Sequence, residues 1–276
     1  MALTALQRDV CRLLAADRRR LGESYIAGGV ALGVALHTSR LSRDLDVFHD
    51  TEAAVARSWD RDRTTLEKSG YLVSTLRERP GYVEAIVARA GHQLVVEWAR
   101  DSAFRFFPLV EDAELGLVLH PFDLATNKVL ALVGRLEPRD WIDVIACHER
   151  LQPLGYLAWA ACGKDPGFTP SGILEQARRS SRYSDAEISS LSFEGPAPDA
   201  ADLARRWQGA LEGAERIIAT LPAEHLGAAV FTSSGELFAG SVSGPEQTLS
   251  GGGLEFHQGR IGGVWPRLKD SRPADG

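Results

Sequence analysis

The chain has 276 residues, 44% of them apolar and 25% charged, enough to bury the core of one large domain or two modest ones without a metal or disulfide staple. A net charge of −6 excludes a general nucleic-acid coat, which is basic throughout. The three cysteines, Cys11, Cys147 and Cys162, lie far apart with no C-x-x-C pair, so neither a disulfide framework nor a zinc site is expected, and a reducing cytoplasm suits buried thiols.

Leu3, Leu6, Val10, Leu13 and Leu14 recur at helical spacing with polar residues between them. They predict an amphipathic helix rather than a signal peptide, and no apolar run approaches the roughly 18 residues of a membrane span. A short strand over residues 24–27 follows, then a helix opened by Gly28 and Gly29, then a strand over 45–48. "TEAAVARSWDRDRTTLEKSGY" reads as a helix with Thr51 as N-cap and Gly70 as its stop. Three β-type runs, "YLVSTLRE", "YVEAIVARA" and "HQLVVEWA", are broken by Pro80-Gly81 and Gly91-His92 and predict hairpin-linked antiparallel strands. A strand over 115–119 precedes helical patterns from Pro121, from Pro138 and across "LGYLAWAAC". A Pro/Gly linker and a long amphipathic helix then lead to "AAVFTSSGELFAGSV", which reads as a hairpin, and residues 243–276 read as an irregular tail. Three basic clusters, Arg18–Arg20, Arg178 with Arg179 and Arg182, and Arg205 with Arg206, are solvated helix faces or a local groove for RNA.

The chemistry concentrates in "YIAGGVALGVALHTSRLSRDLDVFHD". On a strand, residues two apart share a face, so Asp44 and Asp46 stand side by side while Leu45 and Val47 face a core. Adjacent carboxylates repel unless a cation sits between them, and Mg²⁺ takes one or two carboxylates together with substrate phosphates. Gly28 and Gly29 at a strand end are either a tight turn or a place where phosphate approaches backbone N–H groups at a helix start. Arg40 and Ser42 are either surface residues or partners for phosphate oxygens. Glu97 interrupts an apolar strand: either alternation turns it to solvent with Leu94, Val96 and Trp98 inward, or it joins the two aspartates as a third acid. Lys128 breaks an apolar helix face and either snorkels or meets a triphosphate. Asp140 and Asp143 share one helix face, where Asp140 also suits a helix N-terminus.

In order, Gly28, Gly29, Ala31 and Leu32, then Arg40, Ser42, Asp44 and Asp46, then Glu97, then Lys128, Ala131, Leu132 and Arg135, then Arg139, Asp140 and Asp143 resemble the pattern of the AbiEii/AbiGii-type nucleotidyltransferases of the DNA polymerase β-like superfamily. The resemblance covers about residues 20–150. The order of predicted elements gives an α+β fold: a mixed-sheet nucleotidyltransferase core over 1–120, a helical region over 121–220 that by the resemblance completes the active site, and a C-terminal hairpin and irregular tail over 221–276. The resemblance further implies that Gly28 and Gly29, with Arg40, Ser42 and Lys128, hold an NTP. Asp44 and Asp46 would bind Mg²⁺, Glu97 would be either a third metal ligand or the base for the acceptor hydroxyl, and Lys128 with Asp143 or Asp140 would complete the catalytic set. Many members of that family are bacterial toxins, some of which add nucleotides to the 3′ end of tRNA, so tRNA and a cognate antitoxin are the expected partners of a cytoplasmic enzyme. Transfer to a small molecule such as an aminoglycoside, which the −6 charge would attract, and non-catalytic nucleotide binding are the alternatives.

Overall fold

Thr4 starts the first helix, α1 (Ala5–Leu21), through a capping box: its hydroxyl accepts from Gln7 N while the Gln7 side chain accepts from Thr4 N at 2.9 Å. Gly22, with φ +65, ends it in the left-handed conformation. The computed structural model that carries these details describes residues 3–179, 183–240 and 254–266. Arg182 and most of the expected tail lie outside the described residues.

The chain divides into two compact units. The first comprises Met1–Ala103, Leu109–Leu124 and Leu191–Ala197. Besides α1 it holds β1 (Tyr25–Ile26), α2 (Gly28–Leu36), β2 (Arg40–Leu41), β3 (Asp44–His49), α3 (Glu52–Lys68), β4 (Leu72–Arg79), β5 (Tyr82–Arg89), β6 (His92–Arg100), β8 (Val110–Asp112), β9 (Gly116–Val118) and β10 (Ser192–Phe193). Seven strands form one mixed sheet in the order β4-β5-β6-β3-β1-β9-β8. β3 runs parallel to β6, and β1 parallel to β9, while the other neighbours are antiparallel. Thr51 caps α3 and Gly70, with φ +81, closes it, as the sequence predicts.

One face of this sheet carries Leu45, Val47, Val83, Ala85, Val87, Leu94, Val96 and Trp98, all buried. Helices α1 and α3 pack near it, and Trp98 meets Trp59 of α3 edge-on at 4.8 Å. The Trp98 indole donates to buried Asp62 at 2.9 Å, and Ser58 adds a second bond at 3.3 Å. Arg18, expected on a solvated face, is only 2% exposed and donates to Leu115 O at 2.6 Å. A long side chain aimed at an unpaired carbonyl overrides the simple reading of a charged run.

The second unit comprises Phe104–Pro108, Ala125–Ser190 and Pro198–Gly276. It contains β7 (Phe104–Arg105), most of α4 (Pro121–Arg135), α5 (Pro138–Arg150), α6 (Leu154–Lys164), α7 (Pro170–Arg178), α8 (Asp185–Ser189), α9 (Ala200–Thr220), β11 (Ala229–Thr232), β12 (Leu254–His257) and β13 (Arg260–Ile261). Its core joins Tyr156 and Trp159 of α6 to Ile217 and Leu221 at the end of α9 and Val230 of β11. Gln152 pins this end by donating to Val230 O and Phe238 O, both at 2.9 Å. The expected hairpin is present and short: Phe231 bridges Leu237, Phe238 N donates to Val230 O at 3.0 Å and Thr232 N to Glu236 O at 2.8 Å. β11 also has a longer ladder partner, β12, in the stretch expected to be irregular. The reason is long-range: β12 supplies Phe256, which packs on the Tyr156 cluster, a reward that no local pattern announces. All three cysteines are free and buried, and burial pushes the Cys11 and Cys162 thiols up to about 11.

Candidate active site

Strand β3 alternates half-buried and buried residues from Asp44 to His49. Leu45 and Val47 enter the core, and Asp44 and Asp46 stand together on the opposite face. Beside them begins α2, apolar throughout and therefore buried. Its N-cap is Ala27, whose side chain makes no capping bond, so the N–H groups of the first turn are left for other partners. Gly28 has φ +63, and a Cβ built there would run into the Asp46 carboxylate. A glycine is required both by the backbone and by the close approach of Asp46.

A Cβ on Gly29 would come within 2.6 Å of Arg40 Nη2 and 2.7 Å of Ser42 Oγ. The structure therefore brings together Gly28, Gly29, Arg40, Ser42, Asp44 and Asp46, which sequence alone placed only by order. Arg40 is 5% exposed, a guanidinium held in place rather than a surface residue. Gln7 of α1 donates to Ser42 O at 2.8 Å. Its part in fixing this loop could not be read from sequence, where Gln7 is only a helix N3 residue.

The parallel register sets Asp46 opposite Glu97, and the antiparallel one sets Glu97 opposite Glu84. Leu94, Val96 and Trp98 do face inward, and the face this leaves to Glu97 is the face of the aspartates. Glu97, half-buried, thus shares a face with Asp44 and Asp46. Burial, followed by the charges of Asp46 and Asp44, pushes its carboxyl above the usual range, while a hydrogen bond with Tyr82 partly offsets this. Burial and Glu97 in turn push the Tyr82 phenol up to about 12. Arg77 draws Glu84 aside at 3.4 Å.

Lys128, Asp140 and Asp143 form a network of their own in the helical unit. Lys128 is 8% exposed and meets Asp143 at 2.8 Å and Asp140 at 3.2 Å. Arg135 grips both oxygens of Asp140, at 2.6 and 2.9 Å. Burial would raise the Asp140 carboxyl, but the Arg135 bonds and the Lys128 charge outweigh it and hold it below its usual value. Lys128 does not snorkel: two aspartates one helical turn apart neutralise it.

Among the described residues, no three His, Cys, Asp or Glu side chains stand together as a ready metal ligand set, so Glu97 is not drawn into one with the aspartates as it stands. The Asp44–Asp46 pair nevertheless fits Mg²⁺, which takes one or two carboxylates and completes its shell with phosphate oxygens and water. The Gly28 cradle and the uncapped helix turn beside Asp46 are the place for those phosphates.

No known family's sequence profile matches the chain, and no curated protein does. Among solved structures it is similar to MenT4, a nucleotidyltransferase toxin from Mycobacterium tuberculosis H37Rv. That likeness has a TM-score of 0.54 at 17% identity and covers 79% of this chain and 83% of that one. JHP933 from Helicobacter pylori gives 0.47 at 13% identity, over 76% and 91% of the two chains. The chain thus has the α+β fold of a nucleotidyltransferase.

Proposed function

We propose that the chain is a Mg²⁺-dependent nucleotidyltransferase that moves an NMP from an NTP to an acceptor hydroxyl. The observation that carries this reading is the seat of Gly28: a helix start with no side-chain cap, pressed against Asp46, whose partner Asp44 shares its face. In this reading Gly28 and Gly29 N–H groups, Arg40 and Ser42 hold the β- and γ-phosphates. Mg²⁺, when bound, supplies charge neutralisation across the phosphates. Asp44 and Asp46 hold it, and Glu97 accepts the proton of the acceptor hydroxyl as its oxygen attacks the α-phosphorus. The bond from that phosphorus to the bridging oxygen breaks, and pyrophosphate leaves. For Lys128 the proposal remains the one drawn from sequence, a cation for the triphosphate; Asp143 and Asp140, which grip its ammonium, orient it.

The 3′ end of tRNA is the acceptor that the sequence resemblance favours. The likeness to a toxin supports growth inhibition as the outcome and an antitoxin as the partner. A small-molecule acceptor is the second reading, and a specific observation favours it: Arg178 pairs with Glu215, Arg205 with Asp202 and Arg206 with Glu149, so each of these three arginines already has an acidic neighbour.

The test is incubation with Mg²⁺, each α-³²P-labelled NTP in turn, and total tRNA. Label on tRNA is expected from the wild type and none from Asp46→Ala, whose melting curve stays that of a folded protein. Transfer undiminished in Asp46→Ala would overturn the assignment, and NTP binding without label on tRNA would turn the search to small acceptors.

A further inference from the structure

Strand β2, which carries Arg40, is only two residues long and has one ladder partner among the described residues, β10. The pairing is antiparallel, Ser192 opposite Leu41 and Phe193 opposite Arg40. It is extended on both sides: Glu194 N donates to Ser39 O at 2.7 Å, and Arg43 Nε donates to Ser192 Oγ at 3.4 Å. In sequence the Leu191–Ala197 stretch lies between α8 and α9, two helices of the second unit, yet it belongs to the first. Gly195, with φ +92, turns the chain just after the pairing, where an L side chain is strained. A two-residue strand has too few bonds of its own to hold a shape against chain entropy. The conformation of the 39–43 loop, and so the seat of Arg40 and Ser42 beside Gly29, therefore depends on this remote segment and on Gln7.

We propose that Ser192, Phe193 and Glu194 form a strap that positions the phosphate-binding loop, acting through Arg40 and Ser42 without touching the nucleotide. The inference rests on the nucleotidyltransferase reading of the site. Its consequence is a division of labour: the strap governs how tightly an NTP is held, and leaves the chemistry of the bound complex alone.

The experiment measures Mg²⁺–NTP binding by calorimetry, with ATP, GTP, CTP and UTP in turn, and steady-state transfer with the best of them. Glu194→Pro removes the N–H that Ser39 accepts. It is expected to raise the dissociation constant and KM about ten-fold, the worth of one well-placed hydrogen bond, with kcat within about two-fold. Ser192→Ala, which keeps the backbone ladder, is expected to raise them about two- to three-fold, and it decides the matter if Glu194→Pro does not fold. In an Arg40→Ala background Glu194→Pro should add clearly less than it does alone, because a large part of its effect passes through Arg40 and the rest through Ser42. Unchanged binding in both strap variants, a fall in kcat in place of the rise in KM, or full additivity with Arg40→Ala would overturn the strap while leaving the site reading in place. Absence of NTP binding by the wild type would overturn the site reading and the strap with it.

Discussion

Gly28 shows how narrowly a single position is constrained. Its φ of +63 and its contact with the Asp46 carboxylate both forbid a side chain. Gly28→Ala should cost about 1–2 kcal/mol in stability from the left-handed backbone alone. It should also lose most NTP binding as the Asp46 carboxylate is pushed aside, and a melting curve beside a calorimetric titration separates the two effects. His49, fully buried at the end of the same strand, makes a different prediction. Its Nδ1 lies 3.3 Å from Ala99 O, and burial depresses its pKa from the usual 6.5 to about 4; His120 is depressed likewise by burial. The unfolded chain binds protons that the fold refuses, so the stability due to these rings is complete above about pH 6.5 and is lost as pH falls toward 4. For His49 the loss by pH 4 is on the order of 3 kcal/mol. Urea denaturation at pH 7 and pH 4.5 should show it, and His49→Asn should flatten the slope; an unchanged slope would remove His49 from the account.

At the scale of elements, two helices hold buried charge by different means. Helix α3 places Asp62 under the sheet, where Trp98 and Ser58 hydrogen-bond it; burial nonetheless raises its carboxyl above the usual range. Helices α4 and α5 set Lys128 against Asp140 and Asp143. Removing one partner of a buried ion pair strands the other. Lys128→Met should therefore destabilise the protein by about 3 kcal/mol, whatever it does to transfer. Its effect on turnover must be read at a temperature where the variant is fully folded. If denaturation shows no loss of stability, the network is looser than its 2.8 Å contact indicates.

At the scale of the molecule, periodicity in the sequence already determines much. Alternation puts Asp44 and Asp46 on one face and Leu45 and Val47 on the other, and the Thr51 cap, the Gly70 stop and the three β-runs are local facts of the chain. Such features are readable because hydrogen bonding and side-chain direction within one element depend on neighbours a few residues away. The candidate site was legible as an ordered set of residue types, yet its assembly was not. Parallel pairing of β3 with β6 decides that Glu97 faces the aspartates, and that register is set across about fifty intervening residues. The same holds for Gln7 on Ser42, for Ser192 and Phe193 on Leu41 and Arg40, and for β12 as the long ladder partner of β11. The sequence by itself determined the longer helices and strands and which side chains of β3 carry charge away from the core. Only the tertiary structure decided which distant backbone groups satisfy one another, because a two-residue strand or a lone glutamine gains its bonds only once the rest of the chain has folded around it.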